Sequence, residues 1–541
     1  MNIFYRLYHL ARADFLERVR RHGFLVVIGF SVYAGYAFLP PNPSNYATLK
    51  LDDYRGVYNS AWVGTAVAML SAVFISMIGF FIVKNALERD RQTRVGQILA
   101  TTPISRVQYT LGKTLSNFAV LAAMALVVAV ACVGMQLLRA EDRSIDLIAL
   151  FTPFVMLTLP MLFLTAALAV FFEAMPLLRG GIGNVAYFFL FGAFLAGNFV
   201  GQSGDAHNEP TGAGIVLPSM FEAAEAAYPE FDPDSAMVSM GINIRSEGQW
   251  DLKTFTWTGT DWTLQYVGWR LSWVMLGLGV AGAAAIPFDR FDPARGRARE
   301  AREKRRRRGH RRRDTHDTLE AITESVSAHP DVHLTPLPAG ARGFRLGALV
   351  IAEWKLIVRG LRWWYIGPLG FTIAAFTAPL SGVHAIVLPL AWFWPVLHWS
   401  KLGTRETRYG TEGIFFSAPH PLGRHLFATW IAGVMLAVLS AGAVAIRFMI
   451  AGETASLLAW CVGAAFIPSL ALTLGVWTRS GKFFEVLYTA LVYAILQQAT
   501  PIDFMGAIPA ATQEGNPATY AALTLLLLAL ALWGRRRQIR G

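Results

Sequence analysis

The chain has 541 residues and a net charge of +12, with 54% apolar and only 16% charged residues; its mean hydropathy is +0.41. Soluble domains carry about 25% charged residues, so this balance excludes a string of water-soluble domains and points to an integral membrane protein. The only two cysteines, Cys132 and Cys461, both lie in apolar runs, which excludes a disulfide framework or a cysteine metal site.

Near the N-terminus, Phe4, Leu7, Tyr8, Ala11, Phe15 and Val19 recur at three- and four-residue spacing. Arg6, Arg12, Arg18, Arg20 and Arg21 fall largely on the other face, the pattern of a helix lying in the membrane interface. The apolar run that follows ends in Pro40-Pro41 with no small-x-small cleavage site, so it reads as an uncleaved span. A span needs about 20 apolar residues. That criterion predicts spans near 24–39, 62–84, 114–138, 148–172, 184–200 and 264–288, then 362–380, 385–400, 425–449, 455–477, 482–499 and 518–534.

A second amphipathic segment precedes the later spans: Leu346, Leu349, Val350, Trp354 and Ile357, with Lys355 and Arg359. Laying Asp14 on Glu353 pairs Phe15 with Trp354, Val19 with Val358 and Arg20 with Arg359. The expected fold is therefore an all-α polytopic membrane protein of about twelve spans in two six-helix repeats, each preceded by an interfacial amphipathic helix. The halves are 1–288 and 343–541, and an even span count makes them a parallel repeat about an axis along the membrane normal.

Loop charge sets the orientation. Lys84, Arg89, Arg91, Arg94, Arg106 and Lys113 crowd one inter-span segment, and Arg535, Arg536, Arg537 and Arg540 close the chain. The opposite loops are poor in Lys and Arg, so both termini are expected in the cytoplasm. The long outer loop 201–263 reads as an extracytoplasmic cap, with a short helix near Pro218 to Tyr228 and a strand-like alternation from Thr254 to Thr258. Gating, docking of an extracytoplasmic partner and a purely structural cover all remain open for it. The linker 289–342 has too few apolar residues for a packed core and reads as mostly disordered. Thirteen basic residues fall between Arg290 and Arg313. They follow a span directly, which favours anionic lipid headgroups over nucleic acid.

Two charged segments interrupt the apolar runs: Glu88 to Lys113, and Thr404 to Arg424. When Pro103 is laid on Pro419, Asp90 meets Glu406, Ile98 meets Ile414, Leu99 meets Phe415 and Thr101 meets Ser417. Such a repeat marks two copies of one unit. Val95, Ile98 and Leu99 form a small apolar face under dense charge, as in a short helix that docks in a partner's groove. An ion pair between Asp90 and Arg94 is expected within the turn, contributing about 0.2–0.5 kcal/mol.

Catalytic chemistry is not visible. Neither H-E-x-x-H nor G-x-S-x-G occurs, and Gly112-Lys113-Thr114 lacks the preceding glycine of a phosphate loop, with Val107 in its place. Ionisable groups near the spans lie towards their ends: Arg270 and Arg447 are expected to snorkel to the outer surface, and Glu173, His398, Lys482 and Glu485 to sit towards the cytoplasm. The spans thus show no energy source of their own.

The acidic helix followed by ILATTPISRVQYTLGK resembles permease subunits of bacterial ATP-binding-cassette (ABC) exporters of the second permease type. Gly410-Thr411-Glu412 before Ser417-Ala418-Pro419 fits that pattern, as do Arg270 to Trp273 and Phe288-Asp289-Arg290-Phe291. The first copy departs from it with Arg94-Val95 where Gly410-Thr411 stand, and the second with Pro421-Leu422 before Arg424. The resemblance implies that each segment is a coupling helix gripped by a separate ATPase subunit, two copies per chain, in the bacterial inner membrane. It assigns coupling to Glu88, Arg89, Asp90, Arg91, Arg94, Gly96, Pro103 and Arg106, and to Glu406, Arg408, Gly410, Thr411, Glu412, Pro419 and Arg424. No cofactor is expected in this chain; ATP and Mg belong to the partner. The alternatives are a secondary carrier or lipid scramblase, which would need a deep paired charge, and a membrane scaffold, which would need a convergent polar site in loop 201–263.

Overall fold

The computed structural model describes residues 3–20, 22–42, 44–200, 208–244, 250–291, 346–358, 362–417 and 422–540. The expected linker lies almost wholly outside these residues, as does Pro419.

The N-terminal part begins with the amphipathic helix α1 (Ile3–Val19) and continues through α2 (His22–Ala37), β1 (Tyr46–Leu51), β2 (Tyr54–Gly56) and α3 (Ser60–Val83). Two short helices follow, α4 (Ala86–Gln92) and α5 (Val95–Thr101), before the long α6 (Arg106–Arg139). Ser105 starts α6 with a capping box: its hydroxyl accepts from the Gln108 N–H, and the Gln108 side chain accepts from the Ser105 N–H. Next come α7 (Leu147–Pro153), a π-turn at Phe154–Thr158, α8 (Leu159–Ala174) and α9 (Gly181–Val200). The part closes with α10 (Ala213–Ala227), β3 (Val238–Ile244), β4 (Lys253–Phe255) and α11 (Leu264–Ala283).

The C-terminal part runs through α12 (Leu346–Val358), α13 (Ile366–Thr377), α14 (Leu388–Phe393), α15 (Val396–Trp399), α16 (Arg405–Tyr409) and α17 (Glu412–Phe416). It ends with α18 (Phe427–Ala451), α19 (Thr454–Thr478), α20 (Lys482–Leu496) and α21 (Asn516–Arg540). The two amphipathic helices thus form where the arginine-flanked apolar stripes predict them.

Among the described residues, seven helices are long and apolar enough to cross a membrane: Ser60–Gln92, Arg106–Arg139, Leu147–Ala174, Leu380–Trp399, Leu422–Ala451, Thr454–Thr478 and Asn516–Ile539. The other five expected spans fall on α9, which is 20 residues long and apolar, and on α2, α11, α13 and α20, which are shorter or more polar. α11 carries Gln265 and Arg270, for instance, and α13 has only 12 residues.

An element that the hydropathy pattern does not predict is a four-stranded sheet of order β3-β1-β2-β4. β1 pairs antiparallel with β2 and β3, while β2 and β4 run parallel. The cap is therefore built from two distant loops, 40–58 and 208–263, and not from the long loop alone. Its helix is also longer than expected, beginning at Ala213 and not near Pro218. Trp62 on α3 anchors the sheet edge-on to Phe255 and Trp257. A Cβ at Gly56 would stand 2.2 Å from the Trp62 ring, so only glycine allows that approach. Arg55 adds two bonds to Glu141, at 2.9 and 2.6 Å, tying the sheet to the loop after α6.

Each part has its own apolar core, and the cores interlock. Tyr493 on α20 belongs to the N-terminal core, where it meets Phe74. Phe188 on α9 belongs to the C-terminal core, stacked on Phe393 at 3.7 Å.

Candidate functional site: two helix–break–helix handles

The end of the molecule opposite the cap carries two protrusions of the same local form. In the first, α4 and α5 meet at Arg94, whose φ of +61° lies in the left-handed region. In the second, α16 and α17 meet at Gly410, φ +63°. Arg94 and Gly410 are the residues that the Asp90–Glu406 register places opposite each other. Glycine enters this conformation freely, whereas a residue with a Cβ does so at about 1–2 kcal/mol. The departure from the motif at Arg94 changes the side chain but not the backbone path.

What holds the first handle is a buried charge network. The Lys113 ammonium on α6 lies 2.8 Å from both Asp14 on α1 and Asp90 on α4. Asp14 also receives Ser116 Oγ at 2.6 Å and Arg18 at 2.9 Å, and it pairs with Arg89. Asp90 takes a further bond from the Tyr109 hydroxyl at 2.7 Å. Burial by itself pushes the Asp14 carboxyl up; the charges of Arg18, Lys113 and Arg89 outweigh it and hold the group well below its usual range. Asp90 therefore does not pair with Arg94 as expected. It is 5% exposed and turned inward, whereas Arg94 points to solvent.

The segment after α11 folds back beneath the same handle. Arg91 reaches Asp289 at 2.9 Å, and Arg290 donates to the Thr102 carbonyl at 2.8 Å. Burial would raise the Asp289 carboxyl, but the Arg91 charge and hydrogen bond bring it below its usual value. Phe291 slides under Gly96, where a Cβ would come within 2.6 Å of the ring. Phe288 stacks on Tyr109 at 4.9 Å. Among the remaining candidates, Glu88 faces Arg91 at 3.8 Å and Arg6 donates to the Pro103 carbonyl at 3.4 Å. Arg106 helps line the hollow beneath α5 with Leu99, Ile104 and Phe291.

The second handle repeats this plan with different residues. Glu353 on α12 pairs with Arg405 at 3.0 Å, as Asp14 pairs with Arg89. His425 stands between Glu353, at 3.1 Å, and Glu406, at 3.7 Å, in the bridging role of Lys113. Glu406, also 5% exposed, receives Arg535 from the end of α21 at 3.2 Å. Burial would raise the Glu353 carboxyl; the hydrogen bond and charge of His425, then Arg405, hold it below its usual value. The Thr411 N–H closes the break on the Glu406 carbonyl at 2.9 Å, and Glu412 accepts from Thr407. Arg408 is exposed and Arg424 half-buried.

The candidates thus divide in two. Arg89, Asp90, Arg91, Gly96 and Glu406 set each handle on the body. Arg94, Arg408 and Gly410 face outward, and with them the apolar side chains Val95, Ile98, Tyr409, Ile414 and Phe415. Ile98 and Ile414, at matching positions, are 68% and 75% exposed. The positioning residues Asp14, Tyr109, Lys113, Glu353, His425 and Arg535 were missed as site residues. A signal existed for two of them: laying the two amphipathic segments on each other matches Asp14 with Glu353.

The cap end holds a related surprise. Arg270 does not snorkel; it is 2% exposed and donates to the carbonyls of Glu209 at 2.6 Å and Pro210 at 3.3 Å. Those carbonyls lie just before α10, so Arg270 fastens the cap to α11.

Residues 34–216 match the family model described as ABC-2 family transporter protein. The match covers α3, the first handle and the spans beside it, and it supports an ABC transporter permease, a multi-pass membrane component that works with an ABC ATPase. Comparison with curated proteins and with solved structures finds no match.

Proposed function

We propose that the chain is the membrane permease of an ABC exporter of the bacterial inner membrane, with two fused halves and both termini in the cytoplasm. Each handle is a coupling element received by one copy of a separate ATPase that carries the ATP and Mg. The observation that carries this reading is the pair of matched handles, each presenting an exposed isoleucine at the same position and each braced from behind by a buried acid. A short helix with an exposed apolar anchor fits a groove in a partner, and a buried, charge-paired base transmits displacement of that helix to the spans.

ATP binding would draw the two ATPase copies together and move the handles. Because Asp14 and Lys113 tie the first handle to α1 and α6, those helices would move with it; Glu353 and His425 do the same for α12 and α18. Differential ATP affinity for the two arrangements then drives alternation. The substrate would pass along the seam where the halves meet, whose apolar lining favours a lipophilic cargo.

The test is purification in mild detergent after co-expression with the genes that neighbour its own. The reading expects close to two ATPase copies per chain and their loss from an Ile98→Asp/Ile414→Asp variant. Transport that persists without any nucleotide-binding subunit would overturn it.

A further inference from the structure

At the handle end of the seam, four helix ends converge: α3, α9, α15 and α20. Asn184 and Glu485 are each the fourth residue of their helices, α9 and α20. They meet each other directly, with Asn184 Nδ2 donating to Glu485 Oε2 at 2.6 Å. Behind Asn184, the Lys84 ammonium donates to Asn184 Oδ1 at 2.7 Å and to the carbonyls of Gly180 and Leu178 at 3.1 and 3.2 Å. Behind Glu485 stands Ser400, whose hydroxyl donates to the Leu397 carbonyl at 3.1 Å.

The register that lays Asp90 on Glu406 also lays Lys84 on Ser400. The contact is therefore close to self-facing: matched positions meet across the seam but hold complementary residues, lysine and asparagine on one side, serine and glutamate on the other. Two glutamates meeting here would repel; the asymmetry yields a charge-assisted chain instead. Packing around it is tight. A Cβ at Gly181 would come within 2.6 Å of Leu397, and one at Gly481 within 2.3 Å of the Ser400 carbonyl. One turn further in, the Phe188–Phe393 stack closes the seam with dry aromatic surface.

We propose that the Lys84–Asn184–Glu485 chain is a latch that holds shut the cytoplasmic mouth of the translocation path. This rests on the reading of the chain as a permease whose path follows the seam. The arrangement suits reversible opening. On separation Lys84 keeps its two carbonyls and Asn184, all on its own side, so entering water has only the Asn184–Glu485 hydrogen bond to replace. A fully buried ion pair with no other partners would be far costlier to part.

The experiment uses the full chain with Val185→Cys, beside Asn184 and packed on the C-terminal core, as reporter and the exposed Cys461 replaced by serine. Inside-out membrane vesicles are treated with a membrane-impermeant maleimide, without nucleotide or ATPase. Lys84→Met and Glu485→Leu are expected to speed labelling at position 185 at least about tenfold, the factor that loss of one charge-assisted hydrogen bond produces. Lys84→Arg, which can still donate to all three partners, should label at the parent rate. So should Arg55→Met, which breaks an ion pair at the cap end. The latch is overturned if Lys84→Met and Glu485→Leu label at the parent rate, or if Lys84→Arg or Arg55→Met labels as fast as they do. Because no ATPase is present, this result stands apart from the permease reading, whose failure would show as absence of a nucleotide-binding partner.

Discussion

Replacing Lys113 by methionine tests how the first handle is held. The ammonium is 3% exposed and 2.8 Å from each of two buried carboxylates. Asp14 would keep Arg18, Arg89 and Ser116, but Asp90 would keep only the Tyr109 hydroxyl. Removing one partner of a buried ion pair costs about 3–5 kcal/mol. With Tyr109 still in place the lower end applies, about 3 kcal/mol, or roughly a hundredfold in the equilibrium for opening the handle. Hydrogen exchange read by mass spectrometry over residues 86–101, in detergent or nanodiscs, should show that acceleration, while α19 exchanges as before. Adding Asp90→Asn should recover much of the loss, since no unpaired charge then remains. An acceleration below about threefold in the handle, or one shared equally by α19, would refute the buried-bridge account.

Other outcomes follow from the same geometry. Asp14 and Glu353 are both held below their ordinary values of 3.8 and 4.5, so an unfolded handle binds protons more readily than a folded one. Their contribution to stability is complete above about pH 4.5 and is lost as pH falls through the depressed values; unfolding midpoints taken from pH 6 down to pH 3 should show it, and Asp14→Asn and Glu353→Gln should flatten the slope. Gly410→Val places a β-branched residue at φ +63° and should loosen residues 405–417 by about 1–2 kcal/mol, read as faster exchange there. Arg270→Met leaves the Glu209 and Pro210 carbonyls without their donor and should loosen α10 by about 2 kcal/mol, with exchange over residues 86–101 unchanged.

The apolar runs made the helices legible because burial in lipid or protein demands them whichever neighbours they meet; α3 and α19 stand where hydropathy puts them. The matched handles were legible because the repeat preserves Ile98 with Ile414 and Asp90 with Glu406. What the pattern hides is partnership at a distance. Asp90 has Arg94 four residues away, the spacing of a helical ion pair, yet the chain breaks at Arg94 and Lys113 and Tyr109 claim the carboxylate. The sheet was hidden for a similar reason. β1 and β2 are short, and their partners β3 and β4 lie far along the chain in another loop, so neither loop announces a sheet alone. Arg270 reads as a snorkelling residue because its carbonyl acceptors belong to backbone that no side-chain pattern reveals.

The most direct measurement of the central claim is site-specific photo-crosslinking from the handles. A photoreactive amino acid at position 98 or 414, in membranes that also contain the ABC ATPase, should join the chain to that nucleotide-binding subunit at both positions. The same probe at Met275, exposed on α11 away from the handles, should not. Crosslinks from both handles to the ATPase would agree with the account. Capture of lipid alone from positions 98 and 414, with the ATPase present and folded, would contradict it.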